Sequence, residues 1–268
     1  MNKQGEKGIG WCDMTWNPIS GCLHDCKYCY ARKIATRFGG NEVDEMIEIN
    51  PRLHILEAKR ETPYPFNFEP TFHTYRLDEP ARKTKPRKIF VCSMADLFGD
   101  WVPDTWIEQV FEACLEAPQH TYLFLTKNPK RYVELREKNL LPLSLNAFYG
   151  ATATNKDSIY AARDVFYDLE YITNNLFYSI EPLTEDVSDE MKYSYYRGQP
   201  FDWCQWVIVG AETGNRKGKI VPKREWIESI VKECRSVDVP VFMKDNLKSV
   251  WGEDLIKEYP DSMRGDTK

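Results

Sequence analysis

No apolar run in this 268-residue chain approaches the length of a membrane span. The opening stretch, Met1 to Gly10, is polar and charged, which is not the pattern of a secretory leader. A reducing cytoplasm is therefore expected, and its free thiols with it. An excess of positive charge is missing as well. The formal net charge is -5, which argues against wholesale non-specific binding to nucleic acid but leaves room for a local basic face. Internal repeats at a solenoid period and low-complexity stretches are absent. A second C-x2-C pair, the usual mark of a four-thiolate zinc site, is also missing. With 42% hydrophobic residues the chain can bury a substantial core without disulfide staples.

What the chain does have is a tight group of thiols near its start. Cys22, Cys26 and Cys29 stand in the order Cys-Leu-His-Asp-Cys-Lys-Tyr-Cys, a C-x3-C-x2-C run with an aromatic residue before its last cysteine. Three thiolates so spaced suit three corners of a cubane iron–sulfur cluster, and the fourth iron is then open to a substrate or cofactor. A structural zinc site is the alternative, since His24 lies inside the triplet and Cys12 stands ten residues before it. Either would complete a tetrahedron. Cys92, Cys114 and Cys234 read as small core residues.

From about Lys88 onward, strand-like and helix-like segments alternate. Apolar runs at 88–94, 121–126, 147–153, 176–180, 205–210 and 239–243 predict strands. Amphipathic stretches at 104–117, 128–138, 157–169 and 223–234 predict helices. In the first helix Trp106, Ile107, Val110, Phe111, Cys114 and Leu115 should face inward, and in the last Trp226, Ile227, Ile230 and Val231. A short strand over 15–18 should come first, with the cysteine loop directly after it. Apolar strands alternating with helices imply an α/β fold with a parallel sheet of about seven strands, as a barrel or partial barrel. The segment from about 38 to 86 is rich in proline and charge. It reads as an insertion or lid in a single domain over 1–268, or as a plain surface excursion.

Strand ends in such a fold gather reactive groups. Here they bring Asp96, Lys127, Asn155, Glu181, Glu212 and Lys244, which should share one rim with the cysteine loop. Taken singly, each has a structural explanation. Asp and Asn after a strand are commonly caps or turn formers, and Glu181 with Lys127 would make an ordinary ion pair.

Taken in order, these landmarks resemble a family. The segments Thr15-Trp16-Asn17-Pro18, Gly21-Cys22, Cys29-Tyr30-Ala31, Ser93 to Phe98, Leu125 to Pro129, Ser179 to Leu183, Trp206 to Gly210 and Phe242-Met243-Lys244 carry the resemblance. It is to radical S-adenosylmethionine (radical SAM) proteins, and within them to a phage-associated group of unassigned activity that is distantly similar to spore photoproduct lyase. Membership implies a partial β/α barrel and a [4Fe-4S] cluster on Cys22, Cys26 and Cys29. S-adenosylmethionine would chelate the open iron through its amine and carboxylate. Tyr28 resembles the residue beside the adenine, and Ser93, Met94 and Asp96 the turn that meets the amino group. Asn155 and Glu212 are further candidates for the cofactor, and Lys127, Glu181 and Lys244 for catalysis. Ala211 departs from the pattern, since a second glycine is expected after Gly210, and its methyl leaves a ligand less room against the backbone. The implied chemistry is reductive cleavage of S-adenosylmethionine followed by hydrogen abstraction from an unreactive carbon. An electron donor such as flavodoxin or ferredoxin would be needed.

The substrate has one faint clue. Arg82, Lys83, Lys85, Arg87 and Lys88 form a basic run near Phe72, His73 and Tyr75. Cations among aromatics suit a nucleic acid or nucleotide, and a solvated loop explains them equally. A non-catalytic metal-bound module that recognises nucleic acid or a protein is the competing function.

Overall fold

The computed structural model describes residues 1–4, 8–40, 53–142, 146–169, 173, 175–187, 190, 203–252 and 254–263. The chain divides into two compact units, one of residues 1–131 and 135–147, the other of residues 132–134 and 148–268. No described helix is long and apolar enough to cross a membrane.

In the first unit, β1 (Asn2–Lys3) runs antiparallel to β2 (Met14–Trp16). β2 pairs in parallel with β6 (Lys88–Val91), and β6 with β7 (Thr121–Thr126). β2 is a residue or two earlier than its sequence pattern implied, because Pro18 has no N–H to give to a ladder. Between β2 and β6 lie α1 (Tyr30–Arg37) and a small second sheet. That sheet orders β3 (Ile19–Ser20), β5 (Thr71–His73) and β4 (His54–Leu56), with β3 antiparallel and β4 parallel to β5. The proline-rich segment is thus partly structured, although its residues 41–52 lie outside the described set. The cysteine loop follows β3 rather than β2 directly.

Helix α2 (Asp104–Leu115) connects β6 to β7 and buries Trp106, Ile107, Val110, Phe111 and Cys114. Leu115, expected inward, is 44% exposed. Phe98, Phe111 and Phe124 meet with ring centroids 5.3 to 6.2 Å apart. These tilted and edge-on contacts form the aromatic heart of this unit's core.

In the second unit, β8 (Ala147–Thr152), β9 (Leu176–Ile180), β10 (Trp206–Val209) and β11 (Val241–Met243) pair in parallel in that order. All their residues are buried, as expected of parallel strands covered on both faces. Helix α4 (Lys156–Leu169) links β8 to β9, and α5 (Arg224–Ser236) links β10 to β11. Helix α3 (Lys130–Glu137) precedes β8. In α5 the buried residues are Ile227, Ile230 and Cys234. Trp226 instead lies at the margin, with the Lys223 ammonium 5.7 Å from its ring centroid. The fold is mixed α/β with mainly parallel strands, and the described strands do not close into a barrel.

Candidate functional site

Parallel strands present their C-terminal ends together, and in the first unit this end collects the cysteine loop, the turn after β6 and the start of the segment after β7. Gly21 opens the loop in the left-handed region at φ 85°. A Cβ there would stand 2.1 Å from the Glu69 carbonyl oxygen, so only glycine lets the two backbones pass. On either side, the Gly21 amide donates to the Met94 carbonyl (3.0 Å) and the Cys22 amide to that of Phe68 (3.2 Å). The start of the loop is pinned to two segments distant in sequence.

Its end is pinned by a helix. Cys29 is the N-cap of α1, its sulfur accepting from the Arg32 amide at 3.3 Å. The Cys29 amide donates to the Cys26 carbonyl (3.0 Å), which closes the C-x2-C turn. Cys22 and Cys29 pack with Tyr64 against Ala31, Ala35, Phe68 and Met94, so the sulfurs are half-shielded by an apolar wall.

The three thiols share one electrostatic neighbourhood. Burial pushes the Cys22 thiol up to about 12, and the charges of Asp96, Cys26 and Cys29 add to this, while the His24 amide opposes it by a hydrogen bond. Burial likewise raises Cys26. The Lys127 ammonium works against that rise, as does a hydrogen bond with the Tyr28 side chain. The Lys127 ammonium stands 5.5 Å from the centroid of the Tyr28 ring. Lys127 and Tyr28 are thus brought to the cysteines, as their sequence positions implied.

Asp96 is 5% exposed and both its oxygens are committed. Oδ1 accepts from the Thr126 hydroxyl (2.7 Å) and the Phe98 amide (3.0 Å). Oδ2 accepts from His24 Nε2 (2.8 Å) and the Lys127 amide (2.9 Å). Burial alone would raise its pKa, but these donors and the His24 charge outweigh it, and the carboxyl sits below its ordinary value. With about four acceptor positions on a carboxylate, Asp96 is saturated by protein. Its place is that of a tie between the cysteine loop, β6 and β7. His24 also meets Trp101 edge-on, with centroids 4.9 Å apart. Cys12 is buried, with its sulfur on the Ile9 carbonyl (3.8 Å). Each of the two groups that would close a zinc tetrahedron thus has a protein partner, His24 through Nε2 and Cys12 through its sulfur.

Ser93 and Met94 form the turn after β6, and Asn17, which the motif reading passed over as a site residue, holds it. The Asn17 side-chain oxygen accepts from the Ser93 hydroxyl and the Met94 amide, both at 3.1 Å. The preceding residue, Cys92, has φ 59°. This is an uncommon conformation for a side-chain-bearing residue, and it is what turns the chain sharply. The only sequence signal for Asn17 was its place between Trp16 and Pro18.

In the second unit four of the expected residues, Asn155, Glu212, Glu181 and Lys244, have protein partners. Asn155 caps α4: its side-chain oxygen accepts from the Ser158 amide (3.0 Å) and hydroxyl (2.7 Å). Glu212 is 2% exposed and takes a two-pronged contact from Arg216 at 2.7 Å on each oxygen. Glu181 is paired, but with Lys244 rather than Lys127. A Cβ on Gly210 would stand 3.0 Å from Lys244 Cδ and 3.1 Å from Glu181 Cδ, so the glycine makes room for this pair. The expected second glycine is not required at Ala211, whose amide and carbonyl are both held by the Asn246 side chain at 3.0 and 2.6 Å.

The basic run is exposed from Arg82 to Arg87, and Arg82 is paired with Asp78. It leads into the start of β6, whereas Ser93 to Asp96 follow its end. A strand of that length separates them by about 13 Å along its axis. The run therefore belongs to the opposite end of the strand from the cysteines, because strand direction, invisible in local composition, decides which loops meet.

A family model described as "Protein of unknown function (DUF5131)" matches residues 6–265. The chain belongs to this family. No curated protein matches this DUF5131 member. Among solved structures, spore photoproduct lyase complexed with dinucleoside spore photoproduct is similar at 10% identity with a TM-score of 0.47, covering 84% of this chain and 74% of that one. A mutant of the same lyase with bound AdoMet and dinucleoside spore photoproduct is similar at 9% identity and a TM-score of 0.46, over 86% and 75% of the two chains.

Cys22, Cys26 and Cys29 are the side chains of this DUF5131 member that would hold an iron–sulfur group, whose usual ligands are thiolates. Among the described residues, no three His, Cys, Asp or Glu side chains are drawn together as the cage of a single ion. Cubane ligation places each thiolate on its own iron, so its ligands stand farther apart than those of one ion.

Proposed function

We propose that this chain is a radical SAM enzyme whose cluster is held by Cys22, Cys26 and Cys29, in a partial-barrel variant of the α/β fold. One observation carries the reading. Cys22 and Cys29 pack against one apolar wall and Cys26 shares their electrostatic neighbourhood, while His24 and Cys12, the other groups a zinc site would call on, each have a protein partner. When bound, a [4Fe-4S] cluster with S-adenosylmethionine supplies one-electron cleavage of the sulfonium and hydrogen abstraction from an unactivated carbon.

The chain's own residues prepare that chemistry. The wall of Ala31, Ala35, Phe68 and Met94 keeps water from the sulfurs. The Tyr28 ring offers a face for the adenine, with Lys127 as its neighbouring cation. Asp96 meets S-adenosylmethionine only indirectly, by holding His24 and the Lys127 backbone in register. In the second unit, Lys244 and Glu181, the other catalytic candidates, form a partly exposed ion pair.

Anaerobic reconstitution tests the proposal. About four irons and four sulfides per chain should be retained, as cubane ligation requires. With reductant, 5′-deoxyadenosine and methionine should be released from S-adenosylmethionine. A colourless protein with stoichiometric zinc would refute it and favour the binding module.

A further inference from the structure

Arg32 lies in the first turn of α1 and touches the cysteine loop at both ends. Its amide donates to Cys29 Sγ at 3.3 Å. Its side chain turns back over the loop, with the guanidinium 4.9 Å from the centroid of the Phe68 ring. Phe68 is also the residue whose carbonyl receives the Cys22 amide. One terminal guanidinium nitrogen lies 3.4 Å from the Cys22 carbonyl oxygen and 3.3 Å from the Asp25 carboxylate. A single residue thus bridges Cys22, Asp25 and Cys29, the start, middle and end of the loop. Two observations separate it from an ordinary surface cation. The Asp25 side chain is 89% exposed, and an ion pair so open contributes too little to account for the placement. The second observation is Arg32 Nε. It is out of contact with solvent and meets no acceptor among the described residues, in a side chain otherwise 39% exposed. A charged donor buried without an acceptor is costly, and this one stands in the residue that joins two of the three cysteines.

Resting on the radical SAM reading, we infer that Arg32 is a positioning residue for the iron–sulfur group. Its terminal nitrogen holds the Cys22 and Asp25 part of the loop, and its Nε–H is the donor that a sulfur of the bound group satisfies. Two consequences follow from the chemistry of such groups. A loop held at both ends keeps its thiolates in place and slows the loss of iron. Hydrogen bonds to the sulfurs, and a cation beside them, favour the more negative reduced state, so Arg32 raises the reduction potential. Both effects need the guanidinium itself. A lysine ammonium replaces the charge but not the planar fork, and it has no donor at the Nε position.

The test compares the parent protein with Arg32→Met, Arg32→Lys and, as a control on the same helix, Arg37→Met. All four are loaded with iron and sulfide anaerobically. Iron release to an excess of chelator is followed by the fading chromophore, and the midpoint potential by redox titration. Arg32→Met should release iron roughly tenfold faster than the parent, the worth of one hydrogen bond to a charged group. Its potential should move to a more negative value. Arg32→Lys should show most of both changes, and it carries the comparison if Arg32→Met does not load. Arg37→Met should keep the parent's rate and potential. Parent values in Arg32→Met overturn the inference. Parent values in Arg32→Lys overturn it too, since they leave Arg32 only a surface charge. Changes as large in Arg37→Met assign the effect to the charge of α1 as a whole and overturn it likewise. A parent that retains no iron is a different result, for it refutes the radical SAM reading and the inference with it.

Discussion

Asp96 shows how a motif residue reads differently once its neighbours are in place. In sequence it is a carboxylate at a strand end, fit to meet an ammonium. In space its four donors leave it nothing to offer. Asp96→Ala should strand buried donors at about 1–3 kcal/mol each. Chemical denaturation should therefore register a loss of about 3 kcal/mol or more, and iron loading should fall with the loss of the His24 anchor. The cysteines behave in the opposite way. Replacing Cys22, Cys26 or Cys29 by Ala should abolish cluster retention, whereas His24→Gln and Cys12→Ala should keep the iron and sulfide content of the parent. A zinc site closed by His24 or Cys12 predicts that the variant of the closing residue loses its metal as well, and metal analysis of the five variants decides between them. Gly21 is the third residue of consequence. A Gly21→Ala methyl collides with the Glu69 carbonyl and strains a left-handed backbone, so cluster retention should collapse even though no ligand has changed.

Among the elements, helices and parallel strands were legible because their periodicity is local. Ile107, Val110 and Cys114 could be assigned to a buried face from spacing alone, and the β8 to β11 strands from their unbroken apolar runs. The small sheet of β3, β4 and β5 was not legible. Its strands have two or three residues each, too few for a period to show, and its pairing joins segments far apart in sequence. The sheet also holds a polar contact that no pattern announces: Ser20 on β3 and His73 on β5, with the hydroxyl 2.8 Å from Nε2. Burial first, and the Arg76 charge second, lower His73 to about 3. The folded state thus refuses a proton that the unfolded chain accepts below about 6.5. Stability should be fully present above that value and decline as pH falls from 6.5 toward 3, by up to about 1.4 kcal/mol per pH unit. Urea midpoints from pH 7 to pH 4 measure the slope, and His73→Asn should flatten it even where it lowers the plateau.

For the molecule as a whole, the ordered series of motifs pointed to a radical SAM chain, while composition spoke only to size, charge and compartment. The cysteine triplet stood out because its three thiols fall within eight residues, and its role as a cluster site belongs to the proposed function. The roles of Asn155 and Glu212 were not, since a cap or a buried ion pair looks like a ligand until its partner, Ser158 or Arg216, is seen beside it. The position of the basic run was not legible for a similar reason: composition marks charge but not the end of the strand on which it sits. The proposed function rests on an iron with a coordination position left for S-adenosylmethionine. Electron paramagnetic resonance of the reduced, reconstituted protein reads that vacancy most directly. The account predicts a [4Fe-4S] signal that changes shape when S-adenosylmethionine is added and is absent in the Cys22→Ala variant. A signal indifferent to S-adenosylmethionine, or a protein that fills with zinc and shows none, would contradict it.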